Sequence, residues 1–222
     1  MNDVIKLDVW SDIACPWCYI GKRKLEAAIE QFHVKHPGVP FDVEYHSFFL
    51  NPDMPVDYEG SQRDYLAQHK GLDLETVARM SERVTQIAAS VGLNYDLEHQ
   101  IMTNTSLGHL ALHYAKSQGK QAEMKERLMS AHFVEAKHIG RVEDVVALGV
   151  EIGLDAAGLR DALVSGEFLD DVAADLQQAQ DYGITGVPFF VIQGKYGVSG
   201  AQDSSVFVDA FEQLLAEGGG AV

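Results

Sequence analysis

Apolar side chains recur with period two near both ends of this 222-residue chain, and with helical spacing through about a hundred residues between them. Lys6 to Trp10 alternates as a strand buried on at least one face. Pro16 suits a first helical turn, where its missing N–H costs nothing, and Leu25, Ala28, Ile29 and Phe32 then share one helix face up to His33. Pro37-Gly38 ends that helix, Phe41 to His46 alternates again, and Asn51-Pro52 with Pro55 marks a turn-rich stretch. Toward the other end, a helix over Leu169–Tyr182 runs into Gly183-Ile184-Thr185-Gly186. Phe189–Ile192 and Tyr196–Val198 then read as a hairpin across Gln193-Gly194. A last helix, with Asp203 or Ser204 placed to cap it, turns Val206, Phe207, Ala210, Phe211 and Leu214 inward before Gly218-Gly219-Gly220.

The middle block carries no strand signal. Val77, Met80, Val84, Ile87 and Val91 form one stripe that stops at Gly92. Further helices are predicted over Thr103–Ser117, over Gln121–Val134, and around Val142, Val145, Val146 and Ile152. A β-α-β half and an α-β-β-α half separated by helices imply an α/β fold: one sheet domain, residues 1–60 and 168–222, interrupted by an all-helical insertion, residues 61–167.

With 46% hydrophobic and 23% charged residues the composition is that of an ordinary globular chain. A net charge of −16 repels phosphate backbones and anionic lipid, so neither a nucleic-acid nor a membrane partner is expected. Met1 to Trp10 places an acid before any apolar run, and no window approaches the roughly 20 apolar residues that span a bilayer. A cytoplasmic location is the expectation. The only cysteines are Cys15 and Cys18, which rules out a stapling framework; in a reducing compartment such a pair is catalytic or metal-bound.

Cys15-Pro16-Trp17-Cys18 sits where a strand gives way to a helix. Two thiols one helical turn apart can close a disulfide, and the unpaired N–H groups of the helix start favour a thiolate on Cys15. Cys15 then attacks, and Cys18, a turn deeper and shielded, resolves the mixed disulfide. Zinc would need two further ligands, and the helical pair His109 and His113 lies far outside finger spacing; these histidines read as a polar helix face, with His109 a candidate to turn toward the site. Gly186-Val187-Pro188-Phe189 sets a proline at the very start of an apolar strand, a position open to a trans or a cis bond.

Ser11 to Lys22 (SDIACPWCYIGK), with Gly186-Val187-Pro188-Phe189-Phe190 and Val198-Ser199-Gly200-Ala201-Gln202, resembles the FrnE-like branch of the DsbA family over nearly the whole chain. The resemblance implies a thioredoxin fold with a helical insertion, an exposed nucleophile at Cys15 and a resolving Cys18. It also implies a cis-proline turn at Val187-Pro188, facing the thiols, whose Val187 backbone pairs with an extended substrate. Pro16 and Trp17 are candidates for substrate contact, Trp17 against covering the disulfide or simply packing, and Leu50-Asn51-Pro52 and Asn104-Thr105 look like family positions. Asn104 and Thr105 are candidates for substrate contact over the cysteines, against ordinary helix capping. Asp12 is a candidate proton acceptor for Cys18, against a surface or capping role. Some family members carry a second cysteine pair that this chain lacks, which excludes a relay between internal disulfides.

The expected activity is thiol–disulfide exchange with protein or small-thiol disulfides, with no bound metal or organic cofactor and with glutathione as a candidate reductant or co-substrate. Two alternatives keep the fold. A glutathione-dependent transferase or isomerase of the kappa-class type would activate glutathione, though those relatives typically have serine at the nucleophile position. A peptide-binding or chaperone module would need no thiols.

Overall fold

β1 (Ile5–Ser11) lies inside a four-stranded sheet, between a parallel neighbour β2 (Phe41–Ser47) and an antiparallel neighbour β3 (Phe189–Ile192), with β4 (Tyr196–Ser199) beyond β3. The chain is described here by a computed structural model covering residues 4–218; the residues before Val4 and the end of the glycine tail beyond Gly218 lie outside the described residues. The alternation in β1 sorts its side chains onto two faces. Ile5, Leu7 and Val9 are buried with Leu25, Ala28 and Phe32 of α1 (Pro16–Lys35) and with Phe207 and Phe211 of α9 (Ser204–Gly218). On the opposite face Trp10 packs with Ala179, Ile184 and Val191. Each of the Ile, Leu, Val and Phe side chains among these contributes about 1.5–3 kcal/mol when fully buried.

Between β2 and β3 run α2 (Gln62–Lys70), α3 (Leu74–Ser90), α4 (Ser106–Ser117), α5 (Gln121–Phe133), α6 (Val142–Glu151), α7 (Ala156–Ser165) and α8 (Leu169–Asp181). Their starts follow local chemistry where a cap is available: Ser61, Asp73 and Asp155 accept from the backbone N–H three residues on, opening α2, α3 and α7. The helix predicted from Thr103 begins only at Ser106. Its expected first turn is held open instead: Thr103 Oγ1 donates to the Val56 carbonyl, the Asn104 N–H to Pro55, and the Asn104 side-chain amide to Pro52 and Met54. At the last helix, the Ser204 hydroxyl donates to the Lys24 carbonyl, tying α9 to α1.

The insertion packs directly on the cysteine segment. Ile13, Cys15, Cys18, Tyr19 and Ile20 share one buried cluster with Leu110 and Ala111 of α4 and with Met124, Leu128 and Met129 of α5. At Gly108 of α4 an added Cβ would stand 2.4 Å from Ile13 Cδ1, so any larger residue would have to displace the buried Ile13 side chain.

Candidate active site

Pro16 opens α1, and Cys15 immediately before it takes extended angles (φ −92°, ψ 111°), so its thiol stands at the helix entrance. Cys18 lies one turn inside, its N–H bonded to the Cys15 carbonyl at 3.0 Å. Both thiols are unbridged. The Val187–Pro188 peptide is cis, and the Cys15 thiol donates to the Val187 carbonyl across 3.6 Å. α1 keeps this turn close through Gly21, where an added Cβ would meet Pro188 Cγ at 3.0 Å and Phe190 Cζ at 3.1 Å.

The expectation of an exposed Cys15 needs correction: Cys15 and Cys18 are each only 3% exposed. The reason is packing: Cys15 lies against the prolyl turn and inside the cluster built with the insertion. Trp17, between the two cysteines, is 39% exposed and Pro16 half-buried, so the motif's surface is its two central residues. Tyr95, on the segment after α3, closes over the helix start by donating to the Pro16 carbonyl at 2.7 Å. Nothing in the sequence around Tyr95 marks this contact.

With this geometry, the DSBA-like thioredoxin domain family matches residues 6–212. The chain belongs to that family. A crystal structure of a probable DsbA oxidoreductase from Streptomyces coelicolor is 34% identical, with a TM-score of 0.89, covering 96% of this chain and 91% of that one. The uncharacterized protein YwbO of Bacillus subtilis is 29% identical over 208 residues, 93% of this chain and 95% of its own. The cytosolic disulfide reductase DsbM of Pseudomonas aeruginosa shares the fold at 23% identity and a TM-score of 0.59, covering 96% of this chain and 97% of its own; a second structure of it contains GSH. Membership in the DsbA-like family supports thiol–disulfide oxidoreductase activity in general. Among the described residues no helix is long and apolar enough to cross a membrane.

The DsbA-like site is underlain by buried charge. Asp12, three residues before Cys15, is buried and receives four groups. The N–H groups of Ala14 and Leu50 donate at 3.2 and 2.8 Å, the Thr105 hydroxyl donates at 2.9 Å, and His109 Nε2 lies 3.4 Å away. Burial pushes the Asp12 carboxyl up, but the His109 contact and the two backbone N–H groups outweigh it and hold the group below its ordinary value. A carboxylate so fully engaged is a poor base. Thr105 is thus turned inward, and the Asn104 side chain bridges to the loop after β2 while its carbonyl oxygen accepts from the Ser106 N–H.

His109 and His113, expected on a polar helix face, are both buried, each against a carboxylate: His109 against Asp12, and His113 Nε2 3.0 Å from Asp175. Asp175 also lies 2.7 Å from His46 Nδ1, whose Nε2 is 2.9 Å from Asp8. Asp8, Glu44 and His46 bring metal-ligand types within 4.8 Å of one another, but Glu44 is ion-paired with Lys116 and His46 with Asp8 and Asp175, and neither cysteine takes part. The surface depression lined by Lys22, Glu123, Glu126, Arg127 and Glu151 likewise includes neither thiol nor prolyl turn.

Proposed function

We propose that this DsbA-like protein exchanges disulfides through a mixed disulfide at Cys15, resolved by Cys18, with protein or small-thiol disulfides as substrates. The observation that carries this reading is the Cys15 thiol at the helix entrance, 3.6 Å from the Val187 carbonyl. A carbonyl beside the sulfur is a backbone acceptor on which an extended partner can pair once it takes the place of the thiol. Position supports the division of roles, since both thiols are equally buried: Cys15 stands before the helix against the Val187 carbonyl, and Cys18 lies one turn inside, within reach of Cys15.

Pro16 and Trp17 present the surface a substrate meets first, with the Val187–Pro188 turn beside Cys15. Asn104 and Thr105 serve that surface from beneath, through their bonds to the loop after β2 and to Asp12. Asp12 acts by holding the turn before Cys15. The DsbM protein solved with GSH makes glutathione the small thiol to test first. A cytoplasmic location and the division at residues 60 and 167 belong to the same proposal.

The test is direct. Wild-type protein should equilibrate with glutathione mixtures and exchange with insulin or a dithiol peptide. Cys18→Ala should accumulate a mixed disulfide at Cys15, and Cys15→Ser should lose exchange. Glutathione-transferase activity that survives Cys15→Ser, or client protection unchanged in Cys15→Ala with no exchange in wild type, would overturn the assignment.

A further inference from the structure

The helical insertion buries one ionisable group that the mechanism above leaves unused, on a helix that packs in the cluster of the two cysteines. Lys125 of α5 is 1% exposed, and its Nζ has no hydrogen-bond partner among the described residues. Two anchors on either side of it set the helix. The Gln121 side chain bonds both the N–H and the carbonyl of Tyr45 in β2, at 2.9 and 2.8 Å, and Glu126 receives Lys22 of α1 at 2.6 Å. Lys125 is therefore directed inward, over the Tyr45 ring at 5.9 Å, on a helix whose Met124 and Leu128 share the buried cluster of Cys15 and Cys18.

An unpaired amine in such a place is costly, and a methionine would fill the volume without that cost. Snorkelling to water is not open to it at this burial. The groups that act on Lys125 come from every side: Cys18, Cys15 and Lys22 on α1, Asp12 in the turn before it, His109 on α4 and Tyr45 on β2. Cys18 leads those that favour its protonated form.

We infer that Lys125 is the proton-transfer partner of Cys18, taking the thiol proton in the resolving step and returning it in the reverse step. This rests on the Cys15–Cys18 exchange proposed above and adds to it the fate of the proton. With Cys15 joined to a partner sulfur, the neutral Lys125 amine accepts the Cys18 proton. The Cys18 thiolate attacks Cys15 Sγ, the Cys15–partner S–S bond breaks, and the Cys15–Cys18 bond forms. The partner leaves as a thiolate, reduced by the two electrons the dithiol gives up, and is protonated from solvent. In the unreacted dithiol the amine is not bonded to Cys18, so the proposed transfer runs through a water or a rotation of the flexible lysine stem. Burial pushes the Lys125 amine down to about 8, so both protonation states are available near neutral pH, while burial drives the Cys18 thiol well up, so that it needs a base.

Reaction of the dithiol protein with 5,5′-dithiobis(2-nitrobenzoate), followed by stopped flow from pH 6 to 10, separates the two steps. The first thionitrobenzoate released reports Cys15 attack and the second reports Cys18 resolution. In Lys125→Met the second release should slow by about 100-fold at pH 7 and lose its wild-type rise near pH 8, with the first nearly unchanged. The variant should melt no lower than wild type, because it removes an unpaired buried amine. A second release with the wild-type rate and pH profile would overturn the role of Lys125 and leave the exchange reading intact. Absence of the first release from wild type would overturn both. Should Lys125→Met fail to fold, the Lys125 Nζ resonance of wild type and Cys18→Ala decides: a titration that moves on loss of Cys18 supports the pairing, and an unmoved one overturns it.

Discussion

Thr105, at the head of α4, donates its hydroxyl to the Asp12 carboxylate across 2.9 Å, joining the helical insertion to the turn that precedes Cys15. The bond is buried, and with the Leu50 N–H on the other carboxylate oxygen it makes Asp12 the junction of three segments.

Asp12→Ala leaves the Leu50 and Ala14 N–H groups, the Thr105 hydroxyl and His109 without their acceptor. A loss of at least about 3 kcal/mol is expected, against about 1–2 kcal/mol for Thr105→Val. A double-mutant cycle by urea denaturation should give a coupling of about 1 kcal/mol or more, whereas additive losses would show that the two residues act separately.

The Asp175–His46 pair should shape the stability profile. Burial opposes charge on His46, but its bonds to Asp175 and Asp8 prevail and push it up from 6.5 to about 9. The stabilisation is therefore complete below about pH 6.5 and is lost as pH rises through about 9. Asp175 shows the mirror behaviour. Burial raises it, but His113, His46 and the Ser47 N–H hold it far below the carboxylate range, so its contribution is present above about pH 4 and lost in stronger acid. Asp175→Asn should cost about 3–5 kcal/mol near neutral pH and flatten the alkaline limb of thermal melts. An alkaline limb equal to wild type would refute the link.

Gly21→Val places methyl groups where Pro188 and Phe190 already stand at 3.0 and 3.1 Å from an ideal Cβ. Overpacking at this contact should cost about 1–3 kcal/mol and move the prolyl turn off Cys15. Iodoacetamide alkylation of Cys15 should then accelerate relative to wild type, at a temperature where both proteins are folded.

Trp17→Ala removes an apolar surface at the motif without touching the buried cluster. We expect kcat/KM to fall by about 10-fold for a protein disulfide and to hold for a small aromatic disulfide, with stability changed by under about 1 kcal/mol. Equal losses on both substrates would place Trp17 in the chemistry rather than in recognition.

The local part was legible in the residue order alone. The alternation from Lys6 to Trp10, Pro16 at the first helical position and the stripe through Leu25 and Phe32 act over a few residues, and β1 and α1 appear where those patterns put them. The order of strands and helices, and the cysteine pair at their junction, follow from the same short-range rules. How exposed Cys15 is, that Thr105 and His109 close on Asp12, and that Lys125 of α5 is shut away from water were settled by packing. Those outcomes depend on burial and on contacts between segments far apart in the chain. A lysine on an amphipathic helix reads as solvent-facing until the packing of that helix, here pinned by Gln121 and Glu126, leaves it no route to water.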